Sequence, residues 1–110
     1  MPVTVREKLR AITKDLGSQS RVAEALGVSR SRVSRWLRTE QPDPENQRKV
    51  EGLEFVLAYL LSFLHPETAV AWLSGHNGFL NDFRPIDYLG RGRITEVIEA
   101  ARAHKAGSFH

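Results

Sequence analysis

Between Val22 and Arg38 the chain reads VAEALGVSRSRVSRWLR. Its last nine residues hold four arginines and no acid, set around a Val and a Trp whose size favours burial. A helix reconciles the two features. At about 100° per residue, with Val33 pointing inward, Ser31, Arg35 and Arg38 fall on the opposite side, Ser34 and Arg32 flank them, and Arg30 lies nearer the buried side. One face is apolar and the other is cationic and rich in hydroxyls. Arginine donates to phosphates and to guanine edges, and serine is short enough to let a helix sink into a major groove. An acid on that face would be repelled by phosphates, and none is present. The spacing Val22, Ala23, Leu26, Gly27, Val28, Val33, Trp36 is that of a helix-turn-helix whose second helix reads DNA. Ser29, Arg30, Ser31, Arg32, Ser34, Arg35 and Arg38 are therefore the candidate DNA-binding residues. The plainer alternative is a solvated Arg-rich face on a packing helix.

The flanking sequence fits the same reading. Thr4 with Glu7 three residues later is a capping-box signal, and Val5, Leu9, Ile12 and Leu16 follow at helical spacing until Gly17. Ser18 caps a second helix running to Leu26, Gly27 supplies the turn, and Ser29 caps the third. Gln41-Pro42-Asp43-Pro44 breaks the pattern, because two prolines lack a backbone donor and restrict their predecessors. The chain accordingly divides into a DNA-binding region 1–41, a linker 42–46 and a helical region 47–110. The longest predicted helix runs from about Glu45 to Leu64. Its second half is apolar nearly all round (Phe55, Val56, Ala58, Tyr59, Phe63), so it must be covered on several sides by later helices or by another chain. Pro66 starts a further helix, Asn77-Gly78 is a turn, and 84–90 makes a turn or two of helix. Ile94, Val97, Ile98 and Ala101 mark the last element, after which Gly107 releases a tail. No alternating strands, repeats or low-complexity segments are present, and the fold class is all-α.

Composition narrows the function. The 110 residues suffice for one compact unit or two very small ones sharing a core. Without cysteine there is neither a disulfide frame nor a thiolate metal site, which fits a reducing cytoplasm. The N-terminus lacks the apolar core of a signal peptide, and the most apolar run, FVLAYLLSFL, is too short to span a bilayer. Residues 1–40 hold nine Lys or Arg against four acids, whereas residues 41–110 hold seven against nine. That polarity points to a nucleic acid for the front half and a different partner for the back. His65, His76, His104 and His110 show no paired ligand spacing. Glu51 with Glu54, and Glu96 with Glu99, have no groups that would complete an acid/base or metal site. No enzyme, metal or cofactor is expected.

The helix-turn-helix Gln19 to Leu37, the Ala71-Trp72-Leu73 block with Asn77 and Leu80, the Arg84-Pro85-Ile86-Asp87-Tyr88-Leu89 block and the closing Ala106-Gly107-Ser108-Phe109 together resemble the Xre/MbcA/ParS-type antitoxins that accompany RES-domain toxins. The resemblance covers nearly the whole chain. It implies an N-terminal Xre-like DNA-binding bundle followed by a small helical toxin-binding region, and a protein that represses its own operon while neutralising an NAD-degrading toxin. It also implies that the C-terminal end lies over or in the toxin's NAD site, a role that falls to Lys105, Ala106, Gly107, Ser108, Phe109 and His110. Phe109 would be an apolar anchor and Lys105 a cation for a pocket built to take a nucleotide; alternatively Phe109 folds back on its own core. Arg91 and Arg93 either contact toxin or face water. The expected partners are a RES-domain toxin and double-stranded operator DNA. The chain is expected to act as a homodimer within a higher toxin–antitoxin assembly, and away from membranes. A different class remains open: a stand-alone helix-turn-helix regulator whose C-terminal half dimerises or senses a ligand.

Overall fold

The computed structural model describes residues 3–107. Within them seven α-helices and one 3₁₀ turn follow one another without a strand, as the sequence predicts. The first helix, α1 (Val5–Leu16), opens on the reciprocal box: the Glu7 N–H donates to the Thr4 hydroxyl at 3.1 Å and the Thr4 N–H to the Glu7 carboxylate at 3.3 Å. In α2 (Gln19–Leu26) the Ser18 hydroxyl accepts from the Arg21 N–H, and in α3 (Arg30–Arg38) the Ser29 hydroxyl accepts from the Arg32 N–H, each at 3.2 Å. These caps satisfy donors that a helix's first turn leaves without a backbone partner.

The long helix α4 (Pro44–Leu61) starts within a residue of where the sequence predicts and ends three residues early. Most of the segment read as a linker, 42–46, is its first turn. Pro44 sits where a missing N–H costs nothing, Pro42 and Asn46 are buried, and the Asn46 amide donates to the Asp43 carboxylate. At the other end the helix stops at Leu61 rather than Leu64. The Ser62 hydroxyl donates to the Tyr59 carbonyl at 2.6 Å, competing with the ladder, and the next residues go into turns. The remaining elements are α5 (Pro66–Ser74), the 3₁₀ turn Gly78–Leu80, α6 (Pro85–Gly90) and α7 (Ile94–Gly107). Gly107 is the last helical residue of α7, so Lys105 and Ala106 belong to the helix, whose last turns carry alanines of high helix propensity with nothing to interrupt them.

One buried cluster runs through both halves of the chain. Leu9, Ile12 and Leu16 of α1, Val22 and Leu26 of α2, and Val33 and Trp36 of α3 join Val50, Leu53, Leu57 and Leu60 of α4. Ile86, Leu89, Val97 and Ala101 close it from the far side. A close backbone-to-backbone contact joins the turn after α2 to the end of α6. Gly27 has φ +68°, and a Cβ on it would lie 2.2 Å from the Gly90 carbonyl oxygen. Both the backbone conformation and the backbone approach exclude a side chain there. Gly27→Ala should cost about 2–4 kcal/mol, combining a left-handed penalty with forced separation of two backbones. That predicts a fall in Tm of roughly 10–25 °C by calorimetry; a fall of under about 2 °C would show that α2 and α6 can part freely.

The block Arg84–Leu89 explains how α6 is held in that position. The Arg84 guanidinium makes two hydrogen bonds to Asp87, at 3.0 and 2.8 Å, and reaches the Glu24 carboxylate of α2 at 3.4 Å. Arg84 donation holds the Asp87 carboxyl below its ordinary value of 3.8, against a smaller opposing effect of desolvation. A depressed carboxylate pKa contributes stability that is present above the ordinary value and is lost as pH falls through the folded one. Asp87→Asn should therefore destabilise by about 1 kcal/mol at neutral pH, discounted for the partial exposure of the pair. The gap between variant and wild type in urea midpoints should close below about pH 4. A gap of constant size from pH 7 to pH 2 would assign the loss to packing instead.

Candidate nucleic-acid face and partner surfaces

The Arg-rich face of α3 is presented around an open groove of about 500 Å³ lined by Gln19, Arg30, Ser31, Ser34, Arg35 and Arg38. Five of the seven candidate DNA-binding residues meet there, joined by Gln19 at the start of α2, whose place in the groove only the docking of α2 on α3 reveals. Arg30, placed by the helical wheel nearer the buried side, is exposed on the groove, because it opens the helix and its side chain leaves the end of the cylinder. Ser29 is occupied in capping, with its hydroxyl 3.3 Å from that of Ser31. Arg32 turns to the other flank: its guanidinium lies 5.1 Å over the Trp36 ring and 3.5 Å from Asp43. The Arg35 Nε donates to Glu40 at 3.3 Å, and the Arg38 Nε to the Ser34 carbonyl at 3.4 Å. Exposed pairs of this kind are worth little, so the guanidiniums can exchange them for an external anion.

At the opposite end, Lys105 is not a free tail cation. Its ammonium lies 5.5 Å from the Tyr59 ring and 5.8 Å from the Phe63 ring, so the last turn of α7 is held against α4. Those contacts, with Trp72 and Phe63 near the His104 ring, cover much of the apolar surround of α4. Phe55 remains 55% exposed, beside exposed Ala58. Ala106 and Gly107 are exposed; Ser108, Phe109 and His110 lie outside the described residues. Arg93 stacks 4.8 Å over Tyr88 and pairs with Glu96. Arg91 is apart from it, in a second basic pocket with Arg48 and Lys49.

The sequence is 30% identical over 92 residues to a probable mycobacterial cidal antitoxin of Mycobacterium tuberculosis, an alignment that spans 84% of this chain and 79% of that protein. The chain belongs to this antitoxin family. Its fold also matches a chain in the crystal structure of the M. tuberculosis MbcT–MbcA toxin–antitoxin complex, with a TM-score of 0.77 over 96% of this chain and 97% of that one, at 22% identity. No family model matches the sequence.

Two further surface residues of this antitoxin escaped the sequence reading. Phe79 is 60% and Phe83 49% exposed, on the loop around the 3₁₀ turn. That loop is fixed by two left-handed non-glycine residues, Asn81 (φ 55°) and Asp82 (φ 67°), and by the Asn77 carbonyl, which accepts from the N–H groups of Leu80 and Asp82. Paired aromatics on a strained, anchored loop suit a protein partner. Among the described residues no three His, Asp or Glu side chains gather as a metal site would require, and no helix is long and apolar enough to cross a membrane.

Proposed function

We propose that the chain is an Xre/ParS-type antitoxin that binds and neutralises a RES-domain, NAD-degrading toxin in the cytoplasm and represses its own operon by binding DNA. The kinship to the mycobacterial cidal antitoxin is the observation that carries the antitoxin part. The α3 groove, with Arg30, Arg35 and Arg38 around it, supports the DNA part: it gathers guanidinium and hydroxyl donors on one open face, and the carboxylate held there, Glu40 on Arg35, is exposed and displaceable. The two tasks divide along the chain, with residues 1–41 serving DNA and the C-terminal region serving toxin. Phe79 and Phe83 supply apolar contact, Arg93 lies beside them, and residues 108–110, beyond the Lys105 anchor on Tyr59 and Phe63, reach the NAD site. One short α3 reads few base pairs, so the operator is taken to hold two half-sites bound by a homodimer, with Phe55 and Ala58 on its contact face.

The test is co-expression with the neighbouring reading frame, scoring growth and cellular NAD and sizing the purified complex by sedimentation. Rescue of growth, restored NAD and a complex holding two antitoxin chains are the expected results. A neighbour that leaves NAD untouched, or a lone gene, would favour a stand-alone regulator; a clean antitoxin monomer at low micromolar concentration would remove the two-half-site arrangement.

A further inference from the structure

The second basic pocket is built from two separate segments of the chain, 45–49 and 91–94. Arg48 and Lys49 of α4 and Arg91, which follows α6, line an opening of about 360 Å³ together with Glu45, Gly92 and Ile94. Three cations against one carboxylate repel one another at this range, and a bound anion would relieve that. The Lys49 ammonium is already committed as a clamp, donating to the Leu26 carbonyl at 3.3 Å and the Gly90 carbonyl at 3.1 Å. Arg48 and Arg91 are exposed, and neither guanidinium has a hydrogen bond or ion pair among the described residues.

The pocket's place in the fold indicates which anion it meets. Leu26 ends α2, Gly27 is the turn that leads to α3, and Gly27 packs directly on Gly90, so Arg91 stands beside the helix-turn-helix turn. The first turn of α4, which carries Glu45 and leads to Arg48, is tied to α3 by the Arg32–Asp43 pair. The pocket thus adjoins the flank of α3 that carries Arg32, while the groove with Gln19 occupies the flank that carries Ser34. A helix lying in a major groove has a sugar-phosphate strand on each side of it. We propose that Arg48 and Arg91, positioned by the Lys49 clamp, grip backbone phosphates of the strand that passes the Arg32 flank of α3. This assignment rests on the DNA-binding reading above. It moves Arg91 from the toxin-facing set to the DNA-facing one.

The test is fluorescence anisotropy of the full chain with two labelled duplexes, the one upstream of its own gene and a random one of equal length, across a range of NaCl concentrations. Because Arg48 and Arg91 make no hydrogen bond or ion pair among the described residues, and Arg91 acts on Asp87 only through space, Arg48→Gln with Arg91→Gln should leave the circular dichroism spectrum unchanged and lower Tm by no more than a few degrees. The variant should lose affinity for both duplexes by the same factor, roughly tenfold to a hundredfold at low salt. The slope of log affinity against log salt should become shallower by about 1 to 2, and Arg48→Lys with Arg91→Lys should restore it. An unchanged slope in a variant compared with a wild type that binds DNA would overturn this inference and leave the α3 reading standing. A wild type with no affinity for either duplex would overturn the DNA reading and this inference with it. Loss of toxin binding at an unchanged salt slope would give the pocket to a protein partner and likewise overturn the proposal.

Discussion

An Arg35→Ala, Arg38→Ala double variant will bind the duplex upstream of its own gene about a hundredfold or more weakly than the wild-type chain, at nearly unchanged stability. The size follows from two guanidiniums on one groove, each worth about 1–3 kcal/mol where it pairs bidentately with a guanine and less where it meets only phosphate. Stability is spared because what the two side chains do inside the protein is small. Arg35 meets exposed Glu40, and Arg38 bonds the carbonyl of Ser34 on its own helix. Arg32→Ala makes the informative contrast: that guanidinium covers Trp36 and meets Asp43, so its loss should lower Tm more than it lowers DNA affinity. Comparing the duplex with a random one separates the two roles open to Arg35 and Arg38. Equal losses on both would make them phosphate contacts; a loss confined to the specific duplex would make them base contacts. Undiminished binding would remove α3 from the interface.

How far the sequence could be read depended on whether the deciding contact was local. The starts of α1, α2 and α3 are fixed within three residues, by Thr4 with Glu7, by Ser18 and by Ser29, and each cap forms as the residues predict. The proline segment before α4 and the far end of that helix misled for the same local reason in reverse. Prolines at 42 and 44 read as a break although Pro44 is a permitted first residue, and the apolar run to Leu64 hides the hydroxyl of Ser62 that ends the helix. Long-range facts had no signature. Nothing near Gly27 announces that the carbonyl of Gly90 will sit against it, and nothing near Lys105 announces the rings of Tyr59 and Phe63. The Arg84–Asp87 block was legible as a marker of family, whereas its physical work, tying α6 to Glu24 of α2, required the packed structure. Phe79 and Phe83 carry no local mark of exposure, because the left-handed turns at Asn81 and Asp82 are what leave them on the surface.

The strongest effect expected at the C-terminal end comes from deleting Ser108, Phe109 and His110 alone. A cut before Lys105 would be ambiguous, since it strips the last turn of α7 and an ammonium held over the rings of Tyr59 and Phe63, contacts worth about 0.5–1 kcal/mol each when exposed. A cut after Gly107 leaves every described contact in place. If residues 108–110 plug the toxin's NAD site, the shortened chain will keep its Tm and its operator affinity. It will still hold toxin through the Phe79 and Phe83 surface, yet NAD consumption will run at close to the rate of free toxin. Phe109→Ser in the full-length chain should reproduce most of that loss, because a single apolar anchor in a closed pocket carries a large share of the local binding energy. The measurement is NAD turnover by purified toxin titrated with each variant, alongside a pull-down of the same pair. Full inhibition by the chain ending at Gly107 would sink the plug. Inhibition would then have to come from the body of the antitoxin, lying across the route to the NAD site, and the Phe79→Ser, Phe83→Ser variant would become the one to release the toxin.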